Sequence, residues 1–96
     1  MSAYILADVT VTDAEKMAQY RVWSSRATQE FGGEFLVRGG EFEVLEGDWT
    51  PSRLVIVRFA DRATAKAFYD SQTYRHAREL RADAGIMRMV LVDGMS

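Results

Sequence analysis

No cysteine occurs in the 96 residues, which excludes disulfides, thiolate nucleophiles and thiolate-bound metal. A reducing cytoplasm is the expected compartment. Histidine occurs once, at His76, so there is no second imidazole from which to build a zinc site. Proline also occurs once, at Pro51. No apolar run approaches the length of a membrane span. Met1 to Asp8 has no basic region and its apolar run is broken by Asp8, so it does not read as a signal peptide. An excess of one charge is missing too: 12 basic residues against 14 acidic ones leave a formal net charge of -2, and nothing in that balance attracts nucleic acid or an anionic membrane. Gly-x-Gly-x-x-Gly, Walker and nucleophile-elbow motifs are absent, as are internal repeats, low-complexity tracts and linkers. Residues 1–96 therefore read as one domain with a modest core, a size at which a second copy would add stability. Ten of the twelve basic residues are arginine. That bias fits either bidentate carboxylate or phosphate recognition or a GC-rich coding sequence.

The glycine-rich stretch Gly32 to Trp49 organises what is present. Its two glycine pairs bracket a strand, Glu34 to Arg38, and mark a helix end and a sharp strand-to-strand turn. A second short strand is expected over Glu41 to Glu46. Upstream, residues 3–11 alternate and are rich in β-branched side chains, which predicts a strand. Thr12 and Glu15 are spaced as a capping box for a helix from Asp13 to about Phe31, with Met17, Tyr20, Ser24, Ala27 and Phe31 as its buried stripe. Downstream, a strand is expected over Arg53 to Phe59. Asp61 and Ser71 are spaced to cap helices over Arg62 to Tyr69 and Gln72 to Ala82. The last strand is Ile86 to Val92. Counting Glu34 to Arg38 and the short Glu41 to Glu46 together as one strand segment, the order β-α-β-β-α-α-β fits an α+β fold, a single antiparallel sheet with helices on one face in the split βαβ arrangement.

Strand alternation gives each major strand one apolar face, such as Ile5, Ala7 and Val9 or Met87, Met89 and Leu91, where the helices dock. On the opposite face it places Asp8, Arg38, Arg58 and Arg88 among Tyr4, Leu6, Leu36, Leu54, Ile56, Val90 and Val92. A face that apolar is poorly suited to water on a monomer. The expected cover is the same face of a second subunit, a homodimer enclosing an inter-sheet space. Its electropositive balance suits a small anionic carboxylate or enolate-like ligand. The alternative is structural: Asp8 pairs with Arg38 or Arg88 to set strand register, and Arg58 reaches water at the margin.

His76 lies near the flank of a buried stripe, where it either faces solvent or looks into a cavity mouth. It is chemically competent as a general base or an axial haem ligand. Glu41, Glu43 and Glu46 read as a solvated edge rather than an oxygen-ligand metal cage. Tyr69, Tyr74 and Trp49 are packing residues that also fit the wall of a cavity for a planar molecule. The same strand order serves RNA-recognition modules, but Arg53 to Phe59 lacks the glycine and central aromatics of their signature.

The segments Phe35-Leu-Val-Arg-Gly-Gly40, Val44-Leu-Glu-Gly-Asp-Trp49, Leu54 to Phe59, Tyr69-Asp-Ser-Gln-Thr-Tyr74, Arg81 and Val92-Asp-Gly94 together resemble the bacterial domain of unknown function 1330 family over nearly the whole chain. The resemblance implies a ferredoxin-like dimeric α+β barrel, in a superfamily shared with antibiotic-biosynthesis-type monooxygenases, muconolactone-isomerase-like proteins and haem-degrading enzymes. It carries no established reaction. The family-pattern positions matched here are Tyr20, Arg38, Glu46, Trp49, Tyr74 and Arg81. Arg58 departs from the pattern, standing where the family frequently has glutamate, and Phe68-Tyr69 replaces a more usual Trp-Tyr.

Three functions are consistent with these residues. In the first, an enzyme without metal or bound cofactor converts a small acidic or phenolic metabolite as an isomerase or monooxygenase-like catalyst. Asp8 or His76 moves the proton, and Arg38 with Arg88 holds the developing oxyanion. In the second, a non-catalytic dimeric module uses the same residues to bind a ligand. The third is a haem-binding relative with His76 as axial ligand.

Overall fold

A computed structural model describes residues 1–95. Its elements are β1 (Ala3–Val11), α1 (Ala14–Glu30), β2 (Glu34–Arg38), β3 (Leu54–Phe59), α2 (Arg62–Asp70), α3 (Gln72–Leu80) and β4 (Gly85–Asp93). The strands form one antiparallel sheet in the order β2-β3-β1-β4. This is the ferredoxin-like α+β arrangement expected.

Alternation in β1 buries Ile5, Ala7 and Val9, while Tyr4, Leu6 and Asp8 between them stay only half-buried. The helices pack on the buried side. Met17, Tyr20, Ala27, Phe68, Tyr74 and Ala77 meet Ile5, Val57 and Phe59 in a single core. Phe59, Phe68 and Tyr74 stack in series, with centroids 4.9 and 4.5 Å apart. The tilted geometry adds to what their burial contributes. No helix among the described residues is long and apolar enough to cross a membrane.

Helix starts follow local chemistry. Asp61 accepts from the Thr64 N–H at 2.7 Å and Ser71 from the Tyr74 N–H at 3.1 Å, so both caps stand where expected. The first helix differs. Asp13, in extended conformation, accepts from the Lys16 N–H at 3.1 Å and is the N-cap. Thr12 and Glu15 form no capping box, because the Thr12 and Asp13 N–H groups both bond the Ala84 carbonyl and fix the chain one residue further on. Gly32, at φ +67°, follows the end of α1 in the left-handed region that glycine adopts without strain. The third helix closes at Leu80, two residues short of the expected Ala82, with Arg81 as its C-cap.

The strand expected over Glu41 to Glu46 does not form. Residues 40–50 are exposed and carry no regular structure. Gly39 begins this long connection rather than a tight turn. Although Glu41 to Glu46 alternates, it pairs with no strand of the sheet, and alternation without a hydrogen-bonding partner does not make a strand.

Candidate functional site

The second strand decides where the site lies. Glu34 pairs with Arg58 and Phe35 with Val57, but Val37 then pairs with Ile56 and Arg38 with Val55, so the ladder slips at Leu36. One extra residue in a strand reverses the facing of everything after it. Residues directly opposite share a face, and Val55 and Val57 belong to the helix side. Arg38 therefore lies on the helix side with Phe35, not on the open face with Asp8, Arg58 and Arg88 as alternation predicts. Val37 takes the open side instead.

On the helix side Arg38 meets α1. Its Nη2 donates to Ser25 Oγ at 2.7 Å and to the Arg21 carbonyl at 3.3 Å, and its guanidinium stacks 4.1 Å from the Phe35 ring centre. Arg53 reaches back to donate to the Arg38 carbonyl at 3.4 Å. Arg21, Arg38 and Arg53 all line one cavity between α1 and the sheet. Burial, with the like charges of Arg53 and Arg21 adding to it, holds the Arg38 guanidinium below its usual pKa. The ion pairs among the described residues are Lys16–Asp83, Glu34–Arg58, Arg62–Asp93 and the His76–Glu79 contact. None of them neutralises these three arginines.

Behind the arginines the cavity is small and largely apolar, about 40 Å³ walled by Val55, Val57, Phe68 and Met87, room for roughly three waters. Beside Ser24 and Thr28, its polar lining holds a buried hydroxyl pair: Tyr20 and Tyr74 oxygens lie 2.7 Å apart. Tyr20 also contacts the Met87 sulfur at 3.9 Å, and Arg81 sits 5.4 Å from the Tyr20 ring centre with its Nε buried and without a partner among the described residues. Burial, reinforced by Tyr20, pushes the Tyr74 phenol far above its ordinary value. It is a neutral donor or acceptor here. No aspartate, glutamate or histidine lines this cavity. The arrangement is equipped to hold an anion at its mouth and an oxygen atom at its base.

The remaining expected residues lie elsewhere. Asp8, on the open face, accepts from the Ser52 N–H at 2.9 Å and from Trp49 Nε1 at 3.3 Å. The Ser52 bond, helped by Trp49, Arg53 and the charge of Arg88, outweighs desolvation and lowers the Asp8 pKa. A carboxylate stabilised in this way ties down the loop and is a weak base, and it pairs with neither Arg38 nor Arg88. Asp8, Trp49 and Arg88 border an open groove of about 360 Å³ over Leu6, Leu54, Ile56 and Val90. Arg58 is exposed and lies 3.9 Å from Glu34. His76 is exposed, packed edge-on against Trp23 at 4.5 Å, with Nδ1 4.0 Å from Glu79. Glu46 is exposed on the 40–50 segment.

The fold thus separates Asp8 and Arg88 from Arg38, and groups Arg38 with Tyr20 and Tyr74, with Arg81 against Tyr20. Sequence reasoning missed Arg21, Arg53 and Ser25. The spacing of Arg21 and Ser25, one helical turn apart, was a usable signal only once α1 was known to face Arg38. No group of three or more His, Cys, Asp or Glu among the described residues is placed to hold a metal.

Fold and pocket define a ferredoxin-like α+β domain with an arginine-lined cavity between its sheet and helices. The chain belongs to the Domain of unknown function (DUF1330) family, whose profile matches residues 2–95. Similar solved structures include a protein of unknown function from Rhodopseudomonas palustris, 19% identical with a TM-score of 0.79 over 99% of this chain and 83% of that one. A dimeric ferredoxin-like protein of unknown function from a Jannaschia species is 15% identical, with a TM-score of 0.73 over 98% of this chain and 100% of that one. A cofactor-independent oxygenase from Streptomyces nogalater is 13% identical, with a TM-score of 0.61 over 99% of this chain and 94% of that one. At these identities the likeness is one of fold. No curated protein matches the chain.

Proposed function

We propose that the protein is a homodimeric small-molecule-binding domain whose ligand is a small organic acid held in the cavity between α1 and the sheet. The acid group sits among Arg21, Arg38 and Arg53. The apolar body points inward toward Val55 and Met87, and an oxygen at its far end meets the Tyr20–Tyr74 hydroxyl pair. The observation that carries this reading is the cluster of three arginines at a cavity mouth with no carboxylate partner among the described residues. Crowded like charges are relieved by an anion, and guanidinium forks match carboxylate geometry. Met17, Met87 and Met89 line the cavity, and their flexible, unbranched side chains let it widen for a ligand larger than three waters.

Binding is favoured over acid–base conversion because the cavity wall offers no carboxylate or imidazole, and burial holds the Tyr74 phenol far above its ordinary pKa. Isomerase- or monooxygenase-like turnover remains the second reading, supported by the fold shared with a cofactor-independent oxygenase. In it the tyrosine pair donates hydrogen bonds to a developing oxyanion. The homodimer is supported by the apolar open sheet face and by relatives described as dimeric ferredoxin-like proteins.

Calorimetric titration with a panel of monocarboxylates, from butyrate to phenylacetate, tests the ligand class. At least one should bind, and Arg38→Ala should weaken it about 10- to 100-fold, the loss of a charge-assisted contact. Equal affinity of Arg38→Ala and wild type for every binder would place the acid elsewhere.

A further inference from the structure

The connection between β2 and β3, residues 39–53 with 40–50 exposed throughout, is long for an unstructured one in a compact domain, a feature that usually carries a function. Segment 40–50 holds Glu41, Glu43, Glu46 and Asp48 and no basic residue. Its Phe42, Val44 and Leu45 are exposed, Leu45 to 88%. Yet its root is fastened: the Gly39 N–H bonds the Leu54 carbonyl at 2.8 Å, Trp49 and Ser52 bond Asp8, and Pro51 is buried. The segment is anchored at its root, while Leu45 finds almost no cover on its own chain and Phe42 and Val44 each stay 43% exposed.

The open sheet face is its complement. Ile86, Val90 and Val92 are exposed there, Val90 to 60%. Arg88 has no ion pair among the described residues, and Arg58 has only a long one to Glu34. The area agrees. The chain exposes 6273 Å², whereas a 10.9 kDa monomer is expected to expose about 5,600 Å². The excess, roughly 700 Å², approaches the ~800 Å² that each partner buries in a standard interface.

We propose that residues 40–50 form an intersubunit clasp, which each copy lays across the open sheet face of a second copy. Phe42, Val44 and Leu45 cover the apolar strand residues of the partner, and the acidic side chains approach its arginines. Two-fold symmetry makes the contact reciprocal, so one acidic arm and one basic face per chain suffice for two clasps. This inference rests on the homodimer reading and deepens it by naming the element that joins the copies.

Sedimentation equilibrium on the full chain tests it. Leu45→Glu alters a side chain that the monomer leaves in solvent, and should raise the dimer dissociation constant at least tenfold with an unchanged circular dichroism spectrum. Val22→Glu, at a residue 58% exposed on α1, is the control and should leave the constant unchanged. Arg88→Glu should weaken the dimer, and Glu43→Lys with Glu46→Lys in the same chain should recover it. A wild-type dimer that Leu45→Glu or Arg88→Glu leaves intact, or a failed recovery, overturns the clasp while the homodimer stands. A wild type that stays a 10.9 kDa particle at high concentration removes both. Acid binding, read through Arg38→Ala, is a separate outcome.

Discussion

Tyr74 is almost wholly buried, and its hydroxyl contacts that of Tyr20 at 2.7 Å. Burial raises its pKa in the folded state, while the unfolded phenol ionises near its ordinary value of 10.0. The contribution of this group to stability is therefore complete below about pH 10 and declines above it, where only the unfolded chain releases the proton. Urea unfolding followed from pH 8 to 11 should show that decline in the wild type and a shallower one in Tyr74→Phe. At neutral pH the substitution should cost about 1 kcal/mol, for the hydrogen bond removed and the Tyr20 hydroxyl left with only the weak Met87 sulfur contact. Tyr20 and Tyr74 were legible as family-pattern positions, and the inward facing of both from helical spacing. Their mutual contact was not, because it joins α1 to α3 across the core. Arg38 stood out in the sequence as a candidate ligand-binding arginine, but strand alternation puts it on the wrong face. Phe35-Leu36-Val37 contains no glycine or other mark of a bulge, and period-two counting assumes an unbroken ladder.

Element boundaries were set by local chemistry wherever a side chain has one obvious donor to satisfy. Asp61 and Ser71 each precede a helix and cap it. Thr12 and Asp13 compete for one helix start, and the tie was broken by Ala84, which lies 71 positions beyond Asp13 in the chain and accepts from both backbones. The same corner makes Gly85 irreplaceable. A Cβ at Gly85 would stand 1.9 Å from the Thr10 carbonyl oxygen, against backbone at the end of the β1–β4 ladder that cannot swing aside. Gly85→Ala should destabilise the protein by about 2 kcal/mol or more, in the range of overpacking and backbone strain, measured as a lower urea midpoint with the slope unchanged. The 40–50 segment shows the limit of reading elements locally. It alternates like a strand, but it joins neither free edge of the sheet, β2 or β4, and a strand exists only where an edge pairs with it.

For the whole molecule, extents of 32 × 30 × 16 Å describe a two-layer slab with helices on one side and bare sheet on the other. If two slabs close on that side, unfolding is coupled to dissociation. The melting midpoint should then rise with protein concentration, by about 3 °C per tenfold increase for a cooperative unit of this size. Differential scanning calorimetry at two concentrations checks this, and a midpoint that does not move would point to a stable monomer. What the sequence determined by itself is what depends on neighbours along the chain: the order of the four paired strands and three helices, two of three helix caps, the apolar stripes and hence the α+β class. Local propensity and side-chain periodicity are enough for those. The tertiary structure alone decided which arginines stand together, that Asp8 fastens a loop instead of meeting Arg38, and that 40–50 stays unpaired. Each of these depends on a register slip or a contact between residues far apart in the chain, and one bulged residue in β2 was sufficient to move Arg38 from the open face of the sheet to the side beneath the helices.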